Sequence, residues 1–374
     1  SHWEALAAVV SNPLNIEVRA MNGKYRIEIG WDILDRLGLA MVEHDIGKKV
    51  MVITNKTVNE LYGSIVKRSL SEAGLESIFV EIPDGERYKT FETAQKLYDA
   101  LITNYFDRKS SILTLGGGVV GDIGGFVAAS YMRGINLFHA PTTLLAQIDS
   151  SIGGKSAINH PLGKNLIGIF YSPKLVWSDL KTLETLPDKQ LSSGMAEVIK
   201  SAVIGDESLF HYITKNLNQI KSLEKNCLLK VVFDTCAIKA RIVEADERES
   251  GLRMILNYGH TIGHALEAIT EYEFYTHGEA ISIGMMAEAK ISNMLGYFDS
   301  EDLINQEKLL EAFDLPTRLA RGIDPKKITR KLFLDKKVRD GKVSFVLPER
   351  IGKAFITNDV SMETVVKALE ELRN

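Results

Sequence analysis

The sequence predicts an α/β domain built on a parallel sheet, followed by a mostly helical domain. Short apolar runs alternate with helical periodicity in the first half, and a run of glycines directly follows one of them. Beyond Pro187 long helical patterns take over. The 374 residues are enough for two hydrophobic cores. We therefore expect a Rossmann-like first domain over residues 1–185 and a helical second domain over residues 186–374.

Three apolar runs in the first half have the length and composition of buried parallel strands. They are Lys49–Asn55, Ser77–Ile82 and Ser111–Leu115. One helical pattern continues to about Ala73, and a second covers Phe91–Tyr105. This alternation predicts a parallel sheet with right-handed crossovers. Ligands of such sheets bind beyond the carboxyl ends of the strands, where Asn55 and the glycine run fall.

The glycine run Gly116–Gly118, with Gly121 and Asp122 after it, connects the third predicted strand to an apolar helix. Glycines at such a turn let the backbone close on a pyrophosphate, whose charge is met by the N–H groups of the helix start. A tight turn that needs positive φ is the alternative, but it explains one glycine better than four. The spacing therefore favours a phosphate or dinucleotide site.

Two neighbouring segments support a nucleotide site. Thr142 and Thr143 follow the strand-like Ile135–Ala140 and place two hydroxyls at a strand end. Glu86 and Lys89 put a carboxylate and an ammonium three residues apart, suited to ribose hydroxyls. A solvated helix cap is the alternative for this second pair.

Three of the eight histidines fall within eighteen residues, at His260, His264 and His277. His260 and His264 are four residues apart and share one face if the segment is helical. Imidazole suits zinc, and a catalytic zinc takes three protein ligands and keeps one open position. Two core histidines and one on the surface are the alternative, but the grouping favours a metal site.

A second glycine-laced region and several charged residues suggest an anion pocket. Asp149–Lys155 and Gly163–Asn165 combine glycines with lysines, which allows the backbone to approach an anion. Glu197 and Lys200 lie three apart on an apolar helix, where either a metal-ligating carboxylate or a weak surface ion pair is expected. Further cations stand at Lys239, Arg241 and Arg253. The last of these, with Asn257, precedes His260 at helical spacing.

The second half is predicted to be helical over five stretches, followed by a loop and a late strand. The helical stretches are Lys189–Ile204, Leu223–Glu244, His260–Glu271, Gly278–Leu295 and Ile304–Phe313. Leu334–Lys337 is expected to form the loop and Val343–Leu347 the strand.

Composition restricts the partners. A net charge of −4 and a pI near 6.1 give no reason to expect nucleic acid or an anionic membrane as partner. No apolar run reaches the length of a membrane span. Cys227 and Cys236 rule out a thiolate zinc site and indicate a reducing, cytoplasmic location.

With these motifs together, the chain resembles the 3-dehydroquinate synthases from about Thr54 to Gly341. The matching segments are Gly116–Asp122, Tyr131–Gly134, Pro141–Gln147, Asp149–Lys155, Asn159–Asn165, Gly194–Lys200, Asp246–Glu249, Asn257–His264 and His277–Glu279. The resemblance implies an active site in the cleft between the two domains. It also implies a homodimer, because Arg133 matches an arginine that reaches substrate phosphate in the neighbouring subunit.

The resemblance also implies roles for individual residues. Zinc, with cobalt as an alternative, would be held by Glu197, His260 and His277, and His264 would be a second-sphere or proton-shuttling group. The substrate-binding residues would be Asp149, Lys155, Asn165, Lys200, Lys239, Arg253, Asn257, His264, Arg133 and, from the late loop, Lys336 in preference to Lys337. Those with catalytic roles would be Lys155, Lys200, Asn257, His264 and Glu249. NAD would be bound by Asn55, Glu86, Lys89, Gly117, Gly118, Asp122, Thr142, Thr143, Asp149, Lys164, Thr185 and Leu186.

The implied reaction converts 3-deoxy-D-arabino-heptulosonate 7-phosphate, a small sugar phosphate, to 3-dehydroquinate and phosphate in the shikimate pathway. It comprises transient oxidation by NAD, phosphate elimination, re-reduction and an intramolecular aldol closure. Three positions depart from the family pattern. Asn55 stands where an aspartate usually contacts ribose, Ser156 replaces a threonine, and Tyr258 replaces an apolar residue.

Three alternatives stay open. Another sugar-phosphate cyclase, such as 2-deoxy-scyllo-inosose, 2-epi-5-epi-valiolone or aminodehydroquinate synthase, would share the cofactors and the chemistry. A metal-dependent alcohol dehydrogenase of the glycerol dehydrogenase type would not need the cations Lys155, Lys200 and Arg253. A non-enzymatic protein of this fold would not require Glu197, His260 and His277 to converge.

Overall fold

The computed structural model describes residues 12–20, 23–249, 251–271, 273–338 and 343–373, with the backbone alone over 335–338. These residues form two compact units. The first contains the chain up to Leu186 together with Leu228–Glu247, and the second contains Pro187–Cys227 and the chain from Arg248 onward. The first junction falls one residue from the predicted boundary. Residues 228–247, which the sequence predicts in the second domain, group with the first unit instead.

The first unit is built on a mixed sheet of seven strands. They are β1 (Leu14–Ala20), β2 (Gly23–Gly30), β3 (Lys49–Thr54), β4 (Glu76–Glu81), β5 (Ser111–Gly116), β6 (Asn136–Pro141) and β9 (Leu175–Asp179), and their order across the sheet is β1-β2-β9-β6-β5-β3-β4. Only β1 and β2 pair antiparallel, at one edge. The strands predicted at β3, β4 and β5 are confirmed to within one residue at each end. A separate antiparallel hairpin joins β7 (Lys155–His160) to β8 (Gly163–Phe170).

Helices cover both faces of this sheet. They are α1 (Leu37–Val42), α2 (Ser64–Glu72), α3 (Phe91–Thr103) and α4 (Gly118–Ser130). The unit also contains most of α8 (Lys225–Ala245). Val50 and Val52 of β3 belong to the core on one face, and Met51 and Ile53 to the core on the other. Burial on both faces explains why this strand is a continuous apolar run with no polar alternation.

The second unit is mostly helical. Its elements are α5 (Asp188–Gly205), α6 (Glu207–Lys215), α7 (Leu217–Lys221), α9 (His260–Ile269), α10 (His277–Met294), α11 (Ser300–Ala312), α12 (Pro325–Val338), α13 (Met362–Glu371) and the hairpin β10 (Phe345–Arg350)–β11 (Lys353–Thr357). The loop expected at Leu334–Lys337 is wrong, because these residues continue α12. The stretch after Pro325 contains no glycine or proline before Gly341, so nothing in it ends a helix early. Among the described residues, every helix is too short or too polar to cross a lipid bilayer.

Candidate active site

The glycine-rich turn joins β5 to α4 without any left-handed backbone. Gly117 is the N-cap of α4 with φ −83°, and none of Gly116–Gly118 has a positive φ. Instead, these glycines allow the backbone of the turn to lie close to neighbouring side chains. A Cβ on Gly118 would lie 3.1 Å from Ser150 Oγ, and one on Gly117 would lie 3.1 Å from Thr143 Cγ2. The start of α4 is therefore stripped of side chains, which fits a phosphate group against its N–H groups.

Lys89 is the centre of a polar cluster beside this turn. Its side chain is only 3% exposed, forms an ion pair with Asp122, and donates to Asn165 Oδ1 at 2.6 Å. Burial raises the pKa of Asp122 to about 6, against the opposing effect of Lys89. Glu86 lies 3.9 Å from the same ammonium and accepts from Asn159 at 2.8 Å. The alternative of a solvated cap for Glu86 and Lys89 is therefore wrong for Lys89.

Other predicted cofactor residues lie at the carboxyl ends of the strands. Asn55 follows β3, caps the next turn by accepting from Val58 N, and donates to Asp84 at 3.4 Å. Thr142 follows β6, and its N–H donates to the carbonyl of Gly116 at 3.0 Å. Thr185 and Leu186 end the 3₁₀ helix Leu180–Thr185, where Thr185 is hydrogen-bonded to Tyr62.

The predicted substrate residues of the first unit are only partly brought together. Lys239 of α8 donates to the carboxylate of Asp149 at 2.5 Å and to its carbonyl at 2.6 Å. Lys155 is the first residue of β7, and Lys164 is the second residue of β8. Arg133 is exposed, in a turn where Met132 (φ 48°) and Arg133 (φ 68°) are both left-handed. Two consecutive left-handed residues are strained, and strain of this kind concentrates at functional sites.

In the second unit, Glu197 of α5 meets the two histidines that begin α9 and α10. Its Oε1 lies 3.3 Å from His260 Nε2 and 3.2 Å from His277 Nε2. Ligands 2.0–2.1 Å from a tetrahedral zinc ion are about 3.3–3.4 Å apart, so this set has the spacing of a zinc site. A second group, His264, Glu267 and His277, is looser, with His264 Nε2 3.9 Å from Glu267 Oε2.

The charged groups of this cluster shift one another's pKa values. Burial alone would raise the pKa of Glu197, but Lys200 and the two histidines hold it well below its usual value. Burial alone would lower the pKa of His277, but hydrogen bonds to Glu197 and Glu267 raise it to about 10. Glu197 and Lys200 are 1% and 3% exposed and lie 2.5 Å apart, so the surface ion pair that the sequence allowed is wrong.

Each histidine of the cluster is oriented through its other ring nitrogen. Nδ1 of His260 lies 3.1 Å from the carbonyl of Tyr258, and Nδ1 of His277 lies 3.3 Å from Glu267 Oε1. Such partners turn Nε2 toward a bound metal ion. Glu267 was not among the residues predicted from the sequence. Its spacing of seven residues from His260 and three from His264 could have placed it on their face of the helix.

The segment before α9 is not continuous with that helix. Arg253 and Asn257 lie in the 3₁₀ helix Leu252–Asn257, and the chain then turns at Gly259, so the expected helical spacing to His260 is wrong. Gly259 has φ +78°, which ends one helix and starts the next. Asn257 donates to Glu249 at 3.1 Å, and Arg253 is buried. Lys336 lies in α12, and its side chain is outside the described part of the chain.

Solved structures with this architecture set the class. A 2-epi-5-epi-valiolone synthase from Streptomyces hygroscopicus, with NAD⁺ and Zn²⁺ bound, matches with a TM-score of 0.86 at 26% identity, over 93% of this chain and 96% of that one. A 2-deoxy-scyllo-inosose synthase complexed with carbaglucose-6-phosphate, NAD⁺ and Co²⁺ matches with the same TM-score and identity, over 96% and 99%. The fold is thus that of the sugar-phosphate cyclases.

Sequence comparison narrows the class to one family. The family models described as 3-dehydroquinate synthase N-terminal and C-terminal match residues 79–193 and 194–338. The chain belongs to the 3-dehydroquinate synthase family. It is 48% identical to a 3-dehydroquinate synthase of Thermodesulfovibrio yellowstonii, over 93% of this chain and 99% of that one. The corresponding protein of Desulforamulus reducens is 46% identical, over 95% and 99%.

The alcohol dehydrogenase alternative is supported at the level of fold alone. A probable glycerol dehydrogenase from Sinorhizobium meliloti matches with a TM-score of 0.65 at 16% identity, over 92% of this chain and 96% of that one. The family match therefore takes precedence over it.

Proposed function

We propose that this chain converts 3-deoxy-D-arabino-heptulosonate 7-phosphate to 3-dehydroquinate and phosphate, using NAD and a divalent metal ion, zinc or cobalt. The observation that carries the proposal is the convergence of the buried Glu197 with the partly buried His260 and His277, beside Lys200, in a chain 46–48% identical to 3-dehydroquinate synthases. The sugar-phosphate cyclase fold alone fits cyclases with other substrates too. The match to the 3-dehydroquinate synthase family is therefore what favours the heptulosonate phosphate.

NAD would be held by the first unit. The bare start of α4 at Gly117 and Gly118 suits its pyrophosphate, and the cluster of Glu86, Lys89 and Asp122 suits hydroxyls nearby. The other residues we assign to it are Asn55, Thr142, Thr143, Asp149, Lys164, Thr185 and Leu186. When bound, NAD accepts a hydride and returns it, so the net reaction is not an oxidation.

The metal ion would be held by Glu197, His260 and His277, whose donor atoms have the spacing described above. When bound, it acts as a Lewis acid that polarises a substrate oxygen and lowers the pKa of a hydroxyl. Lys200 pairs with the glutamate oxygen that faces away from the histidines, so it can hold Glu197 as an anion while its own charge stays close to the substrate.

The remaining charged groups suit the phosphate elimination and the later ring closure. Lys155, Arg253 and Arg133 would hold the carboxylate and phosphate of the substrate, and they would stabilise charge on the departing phosphate. Lys239 fixes Asp149, and Glu249 fixes the amide of Asn257, so both partners can orient substrate hydroxyls. His264, exposed beside the cluster, would carry a proton at Nε2. Asn165 and Lys336 complete the proposed substrate set.

The assay that tests this function follows release of inorganic phosphate from purified protein with NAD⁺, Zn²⁺ and the heptulosonate phosphate. We expect turnover with this substrate and none with sedoheptulose 7-phosphate, which lacks the carboxylate. Turnover with the second sugar in place of the first would assign the chain to another cyclase activity. The variant Arg253→Ala should weaken binding of the heptulosonate phosphate much more than binding of NAD. An unchanged KM and kcat in this variant would count against a carboxylate-binding role for Arg253.

Metal dependence is tested by His260→Ala. This variant should lose bound zinc in elemental analysis and lose turnover, while NAD still binds because its proposed residues lie in the other unit. Turnover that persists in chelator-treated buffer would refute the metal proposal.

Assembly and location are also proposals. A homodimer, with Arg133 reaching the substrate of the neighbouring subunit, is supported by the exposure of this arginine on its strained turn. A cytoplasmic location is supported by two free cysteines, one of them buried.

A further inference from the structure

We propose that Glu288 is a positioning residue of the metal cluster, which fixes His260 by capping the start of α9 from the neighbouring helix α10. Glu288 matches no residue that the resemblance assigned. The inference rests on the proposed metal site at Glu197, His260 and His277.

Both histidines of the cluster are the first residues of their helices, α9 and α10. The first N–H groups of a helix have no partner within it. A side chain at this position is therefore only as well placed as the cap that holds the first turn. Metal ligands tolerate little displacement, so capping matters more here than at an ordinary helix start.

The start of α9 cannot be capped by its own N-cap residue. That residue is Gly259, and a Cβ at this position would lie 2.6 Å from Met285 Cγ and 2.8 Å from the carbonyl oxygen of Ile281, both on α10. The close approach of the two helices, which brings His260 to His277, thus excludes the serine or aspartate that usually caps a helix.

Glu288 supplies the missing cap. Its side chain is fully buried, and Oε2 accepts the N–H of Gly259 at 2.7 Å. A buried carboxyl group is costly unless it is hydrogen-bonded. The donor that it meets here belongs to the turn that carries His260.

The start of α10 is held in an equivalent way by its own residues. Thr276 Oγ1 accepts from Glu279 N at 3.3 Å, and Glu279 Oε2 accepts from Thr276 N at 2.6 Å. This reciprocal capping box fixes His277. Each histidine of the cluster therefore begins a helix whose start is held by the carboxyl group of a glutamate outside the Glu197–His260–His277 set.

The test measures metal affinity. Zinc and cobalt dissociation constants are determined by competition with a chelator for the wild type, Glu288→Ala, Glu288→Gln and Glu279→Ala. Asp299→Ala is the matched control, because Asp299 caps α11, which carries no residue of the cluster. We expect Glu288→Ala to bind zinc at least about tenfold more weakly. Glu288→Gln should recover most of this loss because its amide oxygen can accept the same N–H group of Gly259. Glu279→Ala should weaken zinc binding, and Asp299→Ala should leave it unchanged within about twofold.

Each outcome either supports or overturns a positioning role for Glu288. Wild-type affinity in folded Glu288→Ala overturns the proposal, and so does equal loss in Glu288→Gln and Glu288→Ala, because equal loss assigns the effect to charge. If Glu288→Ala does not fold, Glu288→Gln and the cobalt absorption spectrum decide, since a displaced His260 changes that spectrum. A wild type that binds no metal refutes the proposed function instead, so the two failures are distinguishable.

Discussion

Lys200 is buried, whereas a lysine three residues from a glutamate on a helix is usually exposed to solvent. An i, i+3 glutamate–lysine pair is worth a few tenths of a kcal/mol on a helix surface. Here the pair is buried, and removing one partner of a buried pair costs about 3–5 kcal/mol because the other charge stays without compensation. The cation at position 200 also competes with any metal ion for the charge of Glu197.

We therefore predict that Lys200→Met loses turnover yet gains more stability from zinc than the wild type does. In the variant, Glu197 has no ammonium partner, and the metal ion relieves its isolation. Thermal unfolding with and without zinc measures the difference. A smaller zinc-induced rise in Tm for Lys200→Met than for the wild type contradicts the prediction.

His139 offers a pH-dependent prediction away from the cluster. Burial lowers the pKa of His139 to about 4, and its Nδ1 lies 2.6 Å from Thr114 Oγ1. The unfolded chain takes up this proton near pH 6.5, but the folded chain does so only near pH 4. His139 therefore stabilises the fold above pH 6.5, and about 3 kcal/mol of that is lost as the pH falls from 6.5 to 4.

The variant His139→Gln should remove this pH-dependent contribution to the free energy of unfolding. The stability difference between wild type and variant, measured by denaturant unfolding from pH 7.5 to 4.5, should shift in favour of the variant as the pH falls. A difference that does not change with pH would show that His139 already titrates normally in the folded chain.

At the scale of elements, the sequence predicted those helices and strands that have a clear apolar periodicity. The strands β3, β4 and β5 followed from apolar spacing, and so did the helices α5, α9, α10 and α11. The buried strand β9 and the helix α12 were not predicted. The hairpin β7–β8 was not predicted, because Gly163–Phe170 has neither a buried run nor strict alternation and stays largely exposed. The break between Asn257 and His260 was also not predicted, because it depends on a left-handed Gly259 packed against α10. Glu288 could not be assigned a role without that contact.

The contact between α9 and α10 yields an element-scale prediction at Gly284. Alanine at a helix interior usually stabilises by about 1 kcal/mol over glycine. At Gly284, however, a Cβ would overlap the carbonyl oxygen of Gly259, which is backbone and cannot rotate away. Overpacking of this kind costs about 1–3 kcal/mol and should outweigh the gain.

Gly284→Ala should therefore lower the free energy of unfolding and weaken metal binding together, because α9 carries His260. Gly121→Ala in α4 is the contrast for stability, since the nearest atoms to its added Cβ are 4.0 Å away. Unfolding in urea should show a loss for the first variant and none for the second. Equal effects would mean that helix propensity, not packing, governs both sites.

At the scale of the whole molecule, the residues proposed to act in catalysis belong to separate units. Those proposed to bind NAD are in the first unit, together with Lys239, and the proposed metal ligands are in the second. Sequence order predicted the division near Leu186 but not the return of residues 228–247, because contacts between distant segments leave no periodic signal. Arg133 adds a further question, since its proposed substrate lies in another subunit.

Mixing two inactive variants tests whether Arg133 acts across a dimer. Arg133→Ala keeps the metal cluster, and His260→Ala keeps the arginine. If Arg133 acts in the neighbouring subunit, each mixed dimer has one complete site. Random exchange makes about half of the dimers mixed, so phosphate release should recover to about a quarter of the wild-type rate. Homodimers of either variant should stay inactive, and His260→Ala mixed with Lys200→Met is the control, because both of those residues serve the same subunit and no mixed dimer has a complete site. If Arg133 acts in its own subunit, every site lacks one essential group, and mixing restores nothing.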